Sequence, residues 1–383
     1  MLNILHATDY HTRANTGITF AINGLIGQIE RFLPAESKIA LMSVGEVDVE
    51  PPAGTLSVRV PPSSIPFTGV WRFSWDYRAA CERVIAEHRI SVVHIHGVWM
   101  HPHYAAVQAA SNLGVPTVLT NHGHLEHWAL RERGKVFKKW LYLAIMRDRL
   151  FRKITVFHAI TPLNKSMIHK LFPGSRIELI PNSIDLAEVD IANANAVRQI
   201  GIAPYVLFLG RLAPQKGIDL LIQAFGRARL PRDWKLLIAG PEEFPRYVAH
   251  LRQLIAASPH ASQIELIGPV WDSQEKYRLM RNAWLMAVPS RSEVVGLVNL
   301  EASACSTPTI TTRTTGLIDW EQGGGLLTDP TIQDLTVALD HAGRWSETER
   351  AERGRASRRL VEQCYSTRVT GPRWVELYRS LSP

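Results

Sequence analysis

Three cysteines in 383 residues leave no disulfide framework to build on. Cys81, Cys305 and Cys364 are odd in number and widely separated, so they read as buried thiols in a reducing cytoplasm. No apolar run approaches the ~20 residues that a membrane-spanning helix needs. The opening Met1-Leu2-Asn3-Ile4-Leu5-His6-Ala7 lacks the basic start and long apolar core of a secretory leader, and reads as a strand. No short repeat or low-complexity tract is present. What remains, 46% hydrophobic and 20% charged, is ordinary globular composition at a length that suits two cores better than one.

Strand and helix patterns alternate twice along the chain. Strands are expected at Asn3–Ala7, Lys38–Ser43, Val92–His96, Thr117–Thr120, Thr155–Ala159 and Ile177–Ile180. A second set follows at Tyr205–Leu209, Lys235–Ala239, Ile264–Ile267, Leu285–Val288, Pro308–Thr312 and Leu326–Leu327. Helical spacing fills Ile18–Phe32, Tyr77–His88 and Tyr104–Leu113. The alternation predicts two doubly wound α/β domains with parallel sheets. Leu186–Pro204 has weak periodicity and reads as their connection.

Two motifs carry chemistry. Glu293 falls in the polar loop after a strand that ends at Pro289, and Glu301 on the first turns of a helix that starts near Gly296 or Leu297. Between them the first N–H groups of that helix, at Gly296, Leu297 and Val298, offer an anion site. Two carboxylates beside an anion cradle suit a ligand that is part phosphate and part polyol, such as a nucleotide sugar. Taken alone, the pair also fits two solvated acids that start a helix. Upstream, Gly210-Arg211-Leu212-Ala213-Pro214-Gln215-Lys216-Gly217 joins a buried strand to an amphipathic helix. That places Arg211 and Lys216 at the carboxyl edge of a sheet, where a planar fork and a point charge suit a diphosphate.

The G-R-x4-K-G and E-x7-E segments together resemble the retaining glycosyltransferases of family 4, which have the GT-B fold. Ile180-Pro181-Asn182-Ser183-Ile184-Asp185 and Glu301-Ala302-Ser303-Ala304-Cys305-Ser306-Thr307-Pro308 extend the likeness over nearly the whole chain. The family's usual glycines are replaced at Thr16, Ser183 and Ser306, and its Glu-Gly-Phe-Gly reads Glu293-Val294-Val295-Gly296 here. The resemblance implies two Rossmann-like domains facing across a cleft. Residues 1–185 would bind acceptor and 186–365 donor, with a last helix at about 366–383 crossing back. It implies transfer of a sugar, a hexose by expectation, from a UDP-, GDP- or ADP-linked donor to a glycan or lipid-linked oligosaccharide, as in bacterial exopolysaccharide or lipopolysaccharide assembly. By the same resemblance, Arg211 and Lys216 neutralise the leaving diphosphate and Glu301 holds the ribose. Glu293 orients the sugar, the base lies near Val270, and Gly17 lets backbone approach the phosphates from the loop after the first strand. Neither a metal nor another cofactor is expected. A nucleotide-sugar 2-epimerase of the same architecture and a non-catalytic nucleotide-binding partner in an assembly complex are the alternatives.

Charge and histidine are unevenly spread. Formal net charge is +8, and Arg131–Lys153 alone carries nine basic residues against Glu132 and Asp148. Val136, Phe137, Trp140, Leu141 and Ile145 give the same segment an apolar face. Such a helix suits an anionic membrane surface, or equally a helix packed on its own sheet with a solvated basic side. Peripheral attachment to the inner face of the cytoplasmic membrane is the expectation. Nucleic acid is not, because no recognition module accompanies the charge. Twelve of fifteen histidines precede residue 170. His94-x-His96, His101-x-His103 and His122-x-His124 match no closed zinc spacing and have no cysteine close by. Several of them are expected simply to line a polar cleft. His122, before Gly123, resembles the family's histidine-glycine loop facing the donor sugar, and His96 and His101 are candidates for acceptor contacts.

Overall fold

The computed structural model describes residues 1–12, 16–45, 48–64, 71–131, 134–193 and 203–382. The chain forms two compact units, Met1–Asn182 with Thr370–Pro383, and Ser183–Val369. In the first unit seven parallel strands are β1 (Ile4–Thr8), β2 (Ile39–Val44), β3 (Leu56–Val60), β4 (Val92–His96), β5 (Thr117–Thr120), β6 (Val156–Ala159) and β7 (Ile177–Leu179). They run in the order β3-β2-β1-β4-β5-β6-β7. In the second unit β8 (Tyr205–Leu209), β9 (Lys235–Ala239), β10 (Ile264–Gly268), β11 (Leu285–Val288), β12 (Thr309–Thr312) and β13 (Leu326–Thr328) run β10-β9-β8-β11-β12-β13. Both are α/β sheets of the doubly wound kind, with the strand order reversing at β1/β4 and at β8/β11.

The central strands are buried along their whole length, as helices on both faces of a parallel sheet require. β3 was not anticipated from sequence. It is an edge strand, largely exposed, so it carries no apolar run to betray it. The segment read as a plain connection includes a helix, Leu186–Asn193, and residues 194–202 of it lie outside the described residues. The helix expected from Ile18 begins at Thr16, which puts Gly17 in its first turn and not in the preceding loop. Cys81 and Cys305 are buried as expected, but Cys364 is exposed, on the short π-helical turn Val361–Tyr365.

The final helix, Thr367–Leu381, contributes its second half to the core of the first unit. Trp374, Val375, Leu377 and Tyr378 are buried there with Leu2, Ile4, Ile22, Ile26 and Ile29. A Cβ at Gly371 would lie 2.4 Å from the Phe32 ring, so only glycine lets this helix sit so close.

Candidate active site

In the second unit the loops after β8 and β11 leave neighbouring strands at the switch point and touch. Gly217 is the contact: its φ is +69°, and a Cβ there would stand 2.1 Å from the Pro289 carbonyl oxygen. Arg291, from the second loop, ties the two together. Its backbone N–H donates to Gln215 O at 2.8 Å and its guanidinium to Pro214 O at 2.8 Å. The same fork donates to both oxygens of Asp219 at 2.7 Å, and the Tyr247 hydroxyl donates to Asp219 Oδ1 at 2.7 Å. Burial pushes the Asp219 carboxyl up, but the Arg291 and Tyr247 hydrogen bonds outweigh it and hold the group below its usual value. Lys216, on the one-turn segment Pro214–Lys216, is thereby placed against Glu293, and its ammonium donates to Glu293 Oε2.

The other half of the site is the helix Leu297–Ala304. Gly296 caps it in a left-handed conformation, φ +66°, which favours a residue without a side chain. Buried Asn299 fixes this turn through Val295 O at 3.3 Å and Thr311 Oγ1 at 3.2 Å. Glu301 stands one turn into the helix and accepts from Lys276 Nζ at 2.8 Å. Arg211 donates to Glu243 Oε2 at 3.1 Å, both side chains about two-fifths exposed. Val270 follows β10 at the same carboxyl edge. Lys216 and Glu293 are thus paired, while Arg211 and Glu301 each hold a different partner. Sequence reading missed Lys276 and the Arg291–Asp219–Tyr247 lock. The lock joins residues far apart in sequence, and Lys276 is one of several charges on the half-buried helix Ser273–Asn282, with nothing local to single it out.

In the first unit five histidines, His6, His94, His96, His122 and His158, form a buried chain on the sheet. His6 Nδ1 and His96 Nε2 share a hydrogen bond at 2.9 Å, and His96 Nδ1 and His122 Nε2 another at 3.0 Å. His94 bonds the Tyr378 hydroxyl at 2.7 Å and Thr120 Oγ1 at 2.7 Å, and Thr120 continues to His158 at 2.8 Å. His6, His94 and His96 bring ligand atoms within 4.8 Å of one another, a grouping that spacing alone did not offer because His6 arrives from β1. Both nitrogens of His94 and of His96 are engaged by these hydrogen bonds. His122, with φ +48°, carries the chain to the carboxyl edge of β5.

Desolvation pulls His6 down to about 3 and His158 to about 4, and His94 and His96 well below the ordinary imidazole value. The folded protein therefore holds them neutral, while the unfolded chain binds their protons from about pH 6.5 downward. Stability is full above that pH and falls as pH drops towards 4. At pH 5 His6 and His158 each cost on the order of 2 kcal/mol, so together they remove ~4 of a typical 5–15 kcal/mol. Thermal unfolding followed from pH 7.5 to 5 checks this, and a flat melting temperature contradicts it.

Residues 39–188 match the family described as Glycosyltransferase Family 4, and residues 194–351 match Glycosyl transferases group 1. The chain is similar to D-inositol 3-phosphate glycosyltransferase of Jonesia denitrificans, 28% identical over 229 residues that make up 55% of this chain. The match spans 53% of that protein, so the chain covers about half the length of this curated relative. Sucrose-phosphate synthase from Thermosynechococcus elongatus has a similar structure, with a TM-score of 0.75 at 18% identity over 100% of this chain and 99% of that one. HepE from Anabaena, in complex with UDP, gives 0.75 at 16% identity over 99% and 100%.

Proposed function

The chain belongs to the group 1, family 4 glycosyltransferases and has their GT-B fold, and from that premise we propose a retaining sugar transfer from a nucleoside diphosphate-sugar to a hydroxyl. The observation that carries this reading is the Lys216–Glu293 ion pair at the β8/β11 switch point, beside the amides capped by Gly296. Lys216 and Arg211 neutralise the charge that grows on the diphosphate as the glycosidic bond breaks, and the Gly296–Val298 amides add to it. These fixed positive groups do the work that a metal does elsewhere, so a metal-independent hexosyltransferase is the form proposed. Glu301 exchanges Lys276 for the ribose hydroxyls, and Glu293 exchanges part of its Lys216 contact for the sugar. Val270 lies by the base. On the first unit, His122 is assigned a substrate contact. Among the described residues Gly17 has nothing within 4 Å of where its Cβ would be, which leaves its backbone open to a phosphate. The HepE complex supports UDP as the first nucleotide to try.

The acceptor is proposed to be a glycan or lipid-linked oligosaccharide of bacterial exopolysaccharide or lipopolysaccharide assembly, met at the cytoplasmic face of the membrane. Support comes from the helix Val136–Arg149, in which only Leu143 is buried. Phe137 is 78% exposed and Trp140 50%, and Leu141 and Ile145 share that face with them. Lys135, Lys138, Arg147 and Arg149 are exposed on the same helix and its cap, a pattern that lies in a lipid interface. Glu132 and Arg133 of the basic segment lie outside the described residues. No helix among the described residues is long and apolar enough to cross a membrane. The protein is expected to sediment with vesicles containing phosphatidylglycerol and to leave them as salt rises. Phe137→Ser with Lys138→Glu should release it at low salt, and salt-insensitive or absent binding contradicts the attachment.

Slow hydrolysis of UDP-glucose without acceptor, read as UDP release, tests the enzyme itself. GDP-mannose and ADP-glucose are the next donors. Turnover of one of them is the expected result. Tight binding of a donor without turnover opposes it and favours a non-catalytic partner.

A further inference from the structure

The order of the first sheet reverses between β1 and β4, and ligands of such sheets bind beyond the carboxyl ends at that point. Asp9 follows β1 there, and His101 and His103 open the helix after β4. Asp9 is 7% exposed. Burial pushes its carboxyl up, but the His103 ring, the nearby His124 and the Tyr10 amide outweigh this and hold it below its usual value. The Met100 N–H donates to His103 Nδ1 at 3.2 Å, so the ring proton of His103 sits on Nε2. That Nε2 lies 3.7 Å from Asp9 Oδ1, beyond hydrogen-bond reach. Among the described residues it has no hydrogen-bond partner, and neither do His101 Nδ1, Asn121 Nδ2 and His124 Nδ1. His103 and Asn121 are each 1% exposed, so these are costly groups to leave unmet. The backbone is also shaped around the imidazole: at Gly97, φ +113°, a Cβ would lie 2.6 Å from the His103 ring.

We infer that Asp9 and His103 form the floor of an acceptor subsite that takes an uncharged, hydroxylated ring and turns away a phosphate at that position. A hydroxyl both donates and accepts. One ligand hydroxyl therefore takes the His103 Nε2–H and gives its own proton to Asp9. A phosphate oxygen only accepts, and it meets a buried carboxylate of like charge. The His124 ring beside it is neutral at pH 7, since desolvation pulls it down to about 4.

An aromatic wall stands over this floor. The Arg72 guanidinium lies 4.5 Å from the Tyr10 ring centroid, and the Phe73 ring is 4.2 Å from His101 and edge-on to Trp75 at 4.7 Å. These contacts pin the segment ending in Trp75, 69% exposed, onto the loops that carry Asp9 and His103. Flat apolar faces beside a few fixed polar groups suit the C–H face of a sugar or cyclitol ring. The inference deepens the transferase reading and rests on it. It also separates this chain from the inositol-phosphate transferase it resembles, by what its floor accepts.

Saturation-transfer NMR with glucose, galactose, mannose, myo-inositol and glucose 6-phosphate tests it on the whole protein at pH 7.5, in the presence of UDP. At least one neutral ring is expected to receive saturation, and glucose 6-phosphate none. Asp9→Asn should weaken the neutral ring at least fivefold and admit the phosphate, a gain that damage to the fold does not produce. His103→Phe should weaken the ring without admitting the phosphate. No binding by any neutral ring, preferential binding of glucose 6-phosphate, or an unchanged Asp9→Asn profile each overturns it. Melting shifts with nucleoside diphosphates on the same samples keep the two readings apart. A normal shift with no ring bound sinks this inference alone, and no shift with any nucleotide sinks the transferase reading beneath it.

Discussion

Lys216→Ala is expected to lower sugar transfer about 10²–10³-fold, the usual cost of removing one preorganised charge from a developing anion. The loss falls on kcat more than on KM if the charge acts mainly on the departing diphosphate. Glu293→Gln is expected to fall comparably, because the amide keeps the shape of the carboxylate and loses its charge. Both side chains are about one-fifth exposed, so neither variant leaves a fully buried orphan charge, and melting temperature should move by only a few degrees. Since Lys216 and Glu293 touch, the double variant should cost much less than the product of the two single effects. Wild-type turnover in either single variant, at matched donor concentration, removes this pair from the mechanism.

Gly217→Ala is the second large effect, and it acts first on stability. The backbone is left-handed there, which costs a residue with a side chain ~1–2 kcal/mol. The added carbon also meets the Pro289 carbonyl oxygen at 2.1 Å, a contact with backbone that no side-chain rotation relieves. Overpacking of that kind adds roughly 1–3 kcal/mol, so a loss on the order of 3 kcal/mol is expected from chemical denaturation. Because the same contact joins the loops carrying Lys216 and Glu293, activity should fall even in the molecules that remain folded. Gly24→Ala, in the helix Thr16–Glu30 and with open space at its Cβ position, is the control. A Gly217→Ala protein as stable and as active as the parent contradicts the contact.

The two sheets were legible because their central strands are short apolar runs separated by helix-length gaps, and the GT-B fold was implied by the family resemblance that the paired motifs carry. β3 escaped because an exposed edge strand has no need of such a run. The loops bearing Arg211, Lys216 and Glu293 could be placed by local pattern, since each follows a buried strand directly. Their cross-loop partners could not. Arg291 and Asp219 lie 72 residues apart, and Lys276 and Glu301 25 apart, and only the parallel strand order brings them together. The histidine chain shows the same limit. His94 and His96 alternate with apolar residues as any strand does, and nothing local says that His6 on β1 faces them. Asp9 stayed hidden for that reason too, being one carboxylate after one strand until β4 delivers His103.

Melting shifts with UDP, GDP, ADP, CMP and dTDP, on the parent protein and on Glu301→Ala, test the central claim that the second unit holds a nucleoside diphosphate at this edge. One nucleotide should raise the parent's melting temperature selectively, and the shift should vanish in the variant. A shift of equal size in Glu301→Ala, or none with any nucleotide in the parent, contradicts it.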